Sequence, residues 1–192
     1  TLLIGVDQGR NPAAVMGQHH AGGLLNILGE LTGSNMGMET FATTILRPYL
    51  SNHFAGVSAL VALDPAGFAK SQVNDESPAD VLKRAGFKVI PAPTNDIQRR
   101  IQAVEKFLLA HQGLQIDPSC TGLIKGLVGQ YRFRARRDGE MEDKPEKKHP
   151  ISDLQDCLQY LCLIAGGANL GRLTRTNQDR PKQRRFSSAA WT

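Results

Sequence analysis

Three aspartates are the residues in this sequence best placed to do chemistry: Asp7 in LLIGVDQG, Asp64 in SALVALDPAG and Asp156 in ISDLQDCLQYL. The first two close short apolar runs, Leu2 to Val6 and Leu60 to Leu63, whose length and composition suit buried strands better than a helix. A carboxylate at the end of a buried strand is costly unless it is paired or binds a cation. Asp156 stands three residues after Asp153 in a segment that reads as an internal helix, apolar on nearly every side toward its C-terminal end. Carboxylates delivered from separate elements to one point form a hard oxygen donor set, which suits Mg²⁺ or Mn²⁺. Two such ions ~3.5–4 Å apart would activate water, stabilise the charged transition state and protect the leaving oxygen in phosphodiester hydrolysis. Asp7 is then expected to bridge the ions, with Asp64 and Asp156 each favouring one. The competing expectation is a set of ion-paired structural acids.

These acids need a scaffold, and the chain divides into elements that could provide one. Three strands are expected first, Leu2 to Asp7, Ala13 to Gln18 and Leu24 to Leu31, with connections short enough for antiparallel neighbours. A helix is expected from about Met38 to His53, bent near Pro48, leading into the Asp64 strand. Ser77 caps the next helix, with Pro78 in its first turn and Gly86 beyond its end. Lys88 to Pro91 reads as a strand, Asp96 to Ala110 as a helix capped by Asn95 or Asp96, Leu114 to Ile116 as a strand and Thr121 to Leu127 as a helix. Ile151 to Ala165 is the last helix. A meander followed by alternating helices and strands predicts an α/β fold: a mixed sheet flanked by helices on both faces.

Residues 131–148 differ in kind. Arg132, Arg134 and Arg136 alternate with other residues at period two, Asp138-Gly139 is a two-residue turn signal, and Glu140, Glu142 and Asp143 return opposite the arginines. An exposed, charged β-hairpin is expected there. It serves either to solubilise the chain or as a DNA-contacting flap.

The net charge of +5 is unevenly spread: residues 1–166 hold 17 basic and 17 acidic side chains, so the excess lies beyond them. The tail, residues 167–192, carries Arg172, Arg175, Arg180, Lys182, Arg184 and Arg185 against Asp179 alone. It reads as a flexible basic arm, either simply solvated or able to bind phosphate or an acidic partner. With 192 residues, one domain over residues 1–166 plus this tail is expected. No apolar stretch approaches a membrane span and no signal-peptide pattern opens the chain, so a soluble, intracellular, membrane-free protein is expected. A start at Thr1, running straight into a strand, points to a piece of a longer protein. Cys120, Cys157 and Cys162 have neither disulfide nor zinc spacing and read as reduced core thiols.

Several residues are weaker candidates. His19, His20 and His149 have a useful pKa but read as surface histidines. Glu30 and Glu39 are candidate supports for a metal site, with ordinary strand-end and helix-dipole explanations. Arg99 and Arg100 are candidate phosphate contacts, although an exposed helical face is the expected use, and Lys125 lies between Gly122 and Gly126. No GxxxxGK[ST] loop occurs, so ATP hydrolysis is not assigned to this chain.

Taken together, GVDQGRNPAAVMGQ, VALDPAGFAKSQVNDESPADVLKRAGFKV, PAPTNDIQRRIQAVEKFL and ISDLQDCLQYL resemble, in order, the C-terminal nuclease domain of tailed-bacteriophage large terminase subunits. The resemblance covers roughly residues 1–166. It implies a ribonuclease H-like fold, with Asp7, Asp64 and Asp156 at the family's metal-binding positions. It also implies a metal-dependent endonuclease that cuts double-stranded viral DNA during genome packaging in the host cell cytoplasm, at the procapsid. A portal protein, a small terminase subunit and an N-terminal ATPase domain absent from this chain are the implied partners. The family often carries Ser-His shortly before the last aspartate. Here Ser152 is followed by Asp153, which makes Asp153 a candidate auxiliary ligand.

Two other classes compete. A non-catalytic DNA-binding or assembly module would keep the fold and use the hairpin and tail as contacts, and the presence of all three acids weighs against it. An actin-like or sugar-kinase-like phosphotransferase also opens with a strand followed by DxG, as Asp7-Gln8-Gly9 does. It would need a second glycine-rich phosphate loop, of which Asp64-Pro65-Ala66-Gly67 is a poor version.

Overall fold

The computed structural model describes residues 1–70, 75–136 and 138–167. A six-stranded mixed sheet has the order β5-β4-β1-β2-β3-β6, with β1 (Leu2–Asp7), β2 (Ala13–His19), β3 (Leu25–Thr32), β4 (Ala59–Leu63), β5 (Lys88–Pro91) and β6 (Leu114–Ile116). β1, β2 and β3 form the expected antiparallel meander. β4 runs parallel to β1, β5 parallel to β4, and β6 parallel to β3.

Strand periodicity divides the core between the two faces of this sheet. Leu2, Ile4, Val6, Val61 and Leu63 pack with Phe41, Leu46, Ala79 and Leu82 on one face. Leu3, Val15, Leu60 and Ala62 pack with Val104, Phe107, Leu158 and Leu161 on the other. Both faces being covered explains why β1 reads as an unbroken apolar run rather than an alternating one.

On the first face, α1 (Met38–Thr40) continues through a π-helical stretch, Phe41–Leu46, into α2 (Arg47–His53). This is the expected helix over 38–53. Its irregularity falls just upstream of Pro48, where a missing N–H and a bulky ring disfavour regular i→i−4 bonding. Thr43 and Thr44 also donate their hydroxyls to the backbone oxygens of Glu39 and Thr40, at 2.8 and 2.7 Å. α3 (Pro78–Arg84) starts at the expected cap: Ser77 Oγ accepts from the Asp80 N–H at 3.2 Å, and the Asp80 carboxylate returns bonds to Ser77. That exchange holds the Asp80 pKa low, chiefly through the Ser77 hydroxyl.

On the second face lie α4 (Ile97–Leu109), capped by Asp96, α5 (Thr121–Lys125) with a π-helical extension to Gln130, and α6 (Ile151–Ala165). Every α6 residue except Leu163 is buried. Each large apolar side chain there removes enough surface from water to contribute ~1.5–3 kcal/mol. The helix is also pressed unusually close to the sheet. A Cβ on Gly5 would stand 1.9 Å from the Cys157 carbonyl oxygen, so only glycine lets β1 and α6 meet backbone to backbone.

The predicted hairpin is present as β7 (Phe133–Ala135) and β8 (Met141–Pro145), turning through Gly139 at φ +86°. Its charge pairing differs in part from expectation. Arg136 meets Asp143 as anticipated, but Arg134 bonds Glu146 instead of Glu140 or Glu142, because the register shifts between Phe133 and Ala135. Among the described residues, no helix is long and apolar enough to cross a membrane. The three cysteines are free and buried, in keeping with their spacing. Apart from Gly167, the basic tail lies outside the described residues.

Candidate active site

Asp7 and Asp64 are delivered by neighbouring parallel strands. Val6 pairs with Leu63, so the next residues, Asp7 and Asp64, stand level at the carboxyl ends of β1 and β4. Alternation puts both on the α6 face, in phase with Leu3 and with Leu60 and Ala62. The crevice outside the carboxyl ends of parallel strands is where such sheets gather ligands. The Gly5 contact then brings the first half of α6 against the end of β1, and the Asp7 N–H donates to Cys157 Sγ at 3.2 Å.

Asp7, Asp64 and Asp156 all line one cleft of about 490 Å³, together with Asn95, Arg100, Tyr131, Lys144, Lys147 and Tyr160. Asp153 does not line it. Its buried carboxylate is bonded by His149 Nδ1 at 2.6 Å and by the Ser152 hydroxyl at 3.4 Å. It nonetheless lies close enough to Asp7 to repel its charge.

The carboxylates differ in how they are satisfied. Asp156 is bonded by Arg100 through one oxygen and by Lys147 through the other. Asp64 accepts from the Tyr160 hydroxyl at 2.7 Å and from the Ala66 N–H at 2.8 Å. The Asp7 carboxylate accepts no hydrogen bond from a described residue. Burial, followed by repulsion from Asp156, pushes its pKa up to about 7, and Lys147 and Arg100 offset only part of that. Burial alone would lower the Lys147 pKa, but the Asp156 carboxylate outweighs it and the group is held above its ordinary value. Burial also pushes the Tyr160 hydroxyl up, despite Arg100 beside it, so it remains a donor to Asp64.

As the side chains stand, no three His, Cys, Asp or Glu groups among the described residues are close enough to hold an ion. The chemistry of the cleft nevertheless fits one. Its donors are carboxylate oxygens, the preferred ligands of Mg²⁺ and Mn²⁺. Asp7, its pKa raised first by burial and then by repulsion from Asp156, has a carboxylate that accepts no hydrogen bond from a described residue and is therefore open to a cation.

The weaker sequence candidates separate clearly. Glu30 accepts from the backbone N–H groups of Gly122 and Leu123, at 2.8 and 2.7 Å, and so caps α5. Glu39 pairs with Arg84 at 3.1 Å. His19 packs edge-on against Phe107 and His20 meets Asn26, so neither lines the cleft. Neither Arg99 nor Lys125 lines it either, and the hairpin's Arg132, Arg134 and Arg136 stay outside it. Arg100 overturns the expectation of an exposed helical face. It lies on the buried stripe of α4 with Val104 and Phe107, because its charge is compensated inside by Asp156. That i, i+4, i+7 spacing was the available signal. Tyr160, one turn beyond Asp156 on α6, could have been found the same way. Asn95, Tyr131, Lys144 and Lys147 carry no comparable mark in the sequence.

No protein-family model matches the chain, and no curated protein matches it. Solved structures do. The large terminase nuclease domain from bacteriophage SPP1 with bound Mn superposes with a TM-score of 0.58 at 16% identity, covering 84% of each chain. The P22 large terminase nuclease domain gives 0.56 at 12% identity, over 83% of this chain and 78% of that one. The large terminase nuclease from thermophilic phage G20c with bound magnesium gives 0.56 at 15% identity, over 84% and 79%. The chain has the ribonuclease H-like fold found in the nuclease domains of phage large terminases.

Proposed function

We propose that this chain is a divalent-metal-dependent endonuclease acting on double-stranded DNA, the nuclease domain of a phage packaging terminase. The observation that carries the reading is the meeting of Asp7, Asp64 and Asp156 in one cleft at the carboxyl ends of β1 and β4. Asp7, Asp64 and Asp156 would hold Mg²⁺ or Mn²⁺, two ions in all, with Asp153, near enough to Asp7 to repel its charge, as the candidate auxiliary ligand. Bound there, the ions would lower the pKa of the attacking water and neutralise charge on the phosphate and the leaving oxygen. The side chains of the protein supply the rest. Lys144, Lys147 and Tyr131 form a rim that can meet the DNA backbone, which positions the substrate without reading its sequence. Gln159 fixes Tyr131 in that rim by donating to its hydroxyl at 3.0 Å.

Purified chain incubated with supercoiled plasmid is expected to nick and linearise it with Mg²⁺ or Mn²⁺ and to leave it intact in EDTA. Asp7→Asn, Asp64→Asn and Asp156→Asn should each abolish cleavage, since each deletes a charged ligand at constant volume. Full activity in any of them removes that residue from the site.

The placement in a packaging motor is part of the same proposal: an ATPase domain, a portal protein and a small terminase subunit as partners, in the host cytoplasm at the procapsid. The two-part organisation belongs to it as well, a nuclease domain over residues 1–166 and a basic arm over residues 167–192. If Arg172, Arg175, Arg180, Lys182, Arg184 and Arg185 neutralise phosphates, deleting the arm lowers the salt slope of DNA binding by ~0.9 log unit for every phosphate set free. An unchanged slope rules out phosphate binding by the arm and leaves a protein partner or a solvated terminus.

A further inference from the structure

Two of the three cleft carboxylates are tied together by side chains that are not themselves acidic. The Arg100 guanidinium bonds Asp156 through Nη2, bonds Asn95 Oδ1 through Nη1 at 3.1 Å, and stacks over the Tyr160 ring with 4.4 Å from Cζ to the centroid. The Tyr160 hydroxyl in turn donates to Asp64 at 2.7 Å and lies 3.3 Å from the same Asn95 oxygen. α4, α6, the 92–96 loop and the end of β4 are thereby closed into one ring of contacts.

Arg100 does more here than balance a charge. Its side chain is 8% exposed, whereas that of Lys147, on the other Asp156 oxygen, is 62% exposed. Its Nε is buried with no acceptor, so the orientation is dictated by the fork, the ring beneath it and Asn95, at the expense of one hydrogen bond. A planar guanidinium can satisfy these three contacts at once, and a lysine ammonium cannot.

We infer that Arg100 is a positioning residue: locked on Tyr160 and Asn95, it holds one Asp156 oxygen and leaves the other, now paired with Lys147, to face the metal. The ring through Tyr160 sets Asp64 at the same time, so the two carboxylates are placed jointly before any ion arrives. Groups that orient ligands in this way typically change metal affinity by about 10- to 100-fold when lost. The inference rests on the metal-dependent nuclease reading above.

Calorimetric titration of the purified chain with Mn²⁺, without DNA, separates the possibilities. Wild type should bind, and Arg100→Lys and Arg100→Gln should both bind at least about tenfold more weakly. Lysine failing to rescue is the mark of geometry. On charge alone, Arg100→Lys would equal wild type and Arg100→Gln would bind more tightly, having lost a repelling cation; either result overturns the inference. If Arg100→Gln does not fold, Tyr160→Phe keeps the ring beneath Arg100 and removes the hydroxyl that ties it to Asp64 and meets Asn95. It should weaken Mn²⁺ binding by a smaller factor, and wild-type affinity in this variant also overturns the inference. In plasmid cleavage at saturating Mn²⁺, Arg100→Lys should lower kcat more than it raises KM for DNA, the reverse of the pattern for a phosphate contact. Absence of Mn²⁺ binding by wild type rejects the nuclease reading itself, and the inference with it.

Discussion

The cleft and the β7–β8 hairpin use the same pair of ions, arginine and carboxylate, in opposite surroundings. Arg100 and Asp156 are 8% and 5% exposed, whereas Arg136 and Asp143 are 44% and 90% exposed. In water an ion pair gains little over its hydrated parts, while a buried pair is strongly interdependent, because removing one partner strands the other in a poor solvent. The hairpin can therefore exchange its partners freely, for one another or for phosphate. The cleft pair behaves as part of the framework.

Breaking the buried pair should have the largest effect. Arg100→Met leaves Asp156 facing Lys147 alone and is expected to cost ~3–5 kcal/mol in urea unfolding. A loss near zero would place the pair in the same class as the hairpin's. Next comes Asp7, whose burden has the opposite sign. Its pKa is about 7 in the folded chain against an ordinary value of 3.8, so the folded state holds the proton more tightly. Metal-free protein should therefore lose stability as pH rises from about 4 through about 7, with the penalty complete above that. Asp7→Asn removes the penalty: it should match wild type near pH 4 and exceed it at pH 8, by as much as about 4 kcal/mol. A difference between the two proteins that does not change with pH would show that Asp7 is not strained. Gly5→Ala should follow, at ~1–3 kcal/mol, because the added methyl meets the α6 backbone, which cannot rotate away as a side chain would. Its cleavage activity should fall as well, since lifting α6 carries Asp156 away from Asp7. The smallest effect belongs to the hairpin: Arg134→Gln should leave the unfolding midpoint unchanged within error, despite its contact with Glu146.

The same contrast explains what could be read from the chain alone. Strand ends, the Ser77 cap, the Asp138-Gly139 turn and the apolar runs are local signals, and they located nearly every element and the three cleft aspartates. What escaped depended on distant partners. Arg100 stands on an apolar stripe where a charge is normally counted as exposed, and only Asp156, 56 residues later, makes its burial tolerable. The hairpin's pairing was misplaced by a local register shift that no residue type announces. Asp156 reads as a metal-binding acid and Asp153 as a candidate auxiliary ligand, three residues apart on one helix face. The structure distinguishes them by their partners: Asp153 is bonded by His149, whereas Asp156 lines the cleft between Arg100 and Lys147.

The burial of α6 also sets an order of events during synthesis. Leu3, Ala13, Val15 and Ala62 have α6 as a cover on their face of the sheet, yet that helix begins only at Ile151. Until the ribosome has released most of it, this face of the growing sheet lacks its central cover, and Asp7 and Asp64 lack their third companion. Contacts of such long sequence separation form late and slowly. The nascent chain is thus expected to bind a chaperone through this face, and to acquire its cluster of acids only in the final docking step. A ribosome stalled before residue 150 would hold a sheet whose cleft lacks its third aspartate.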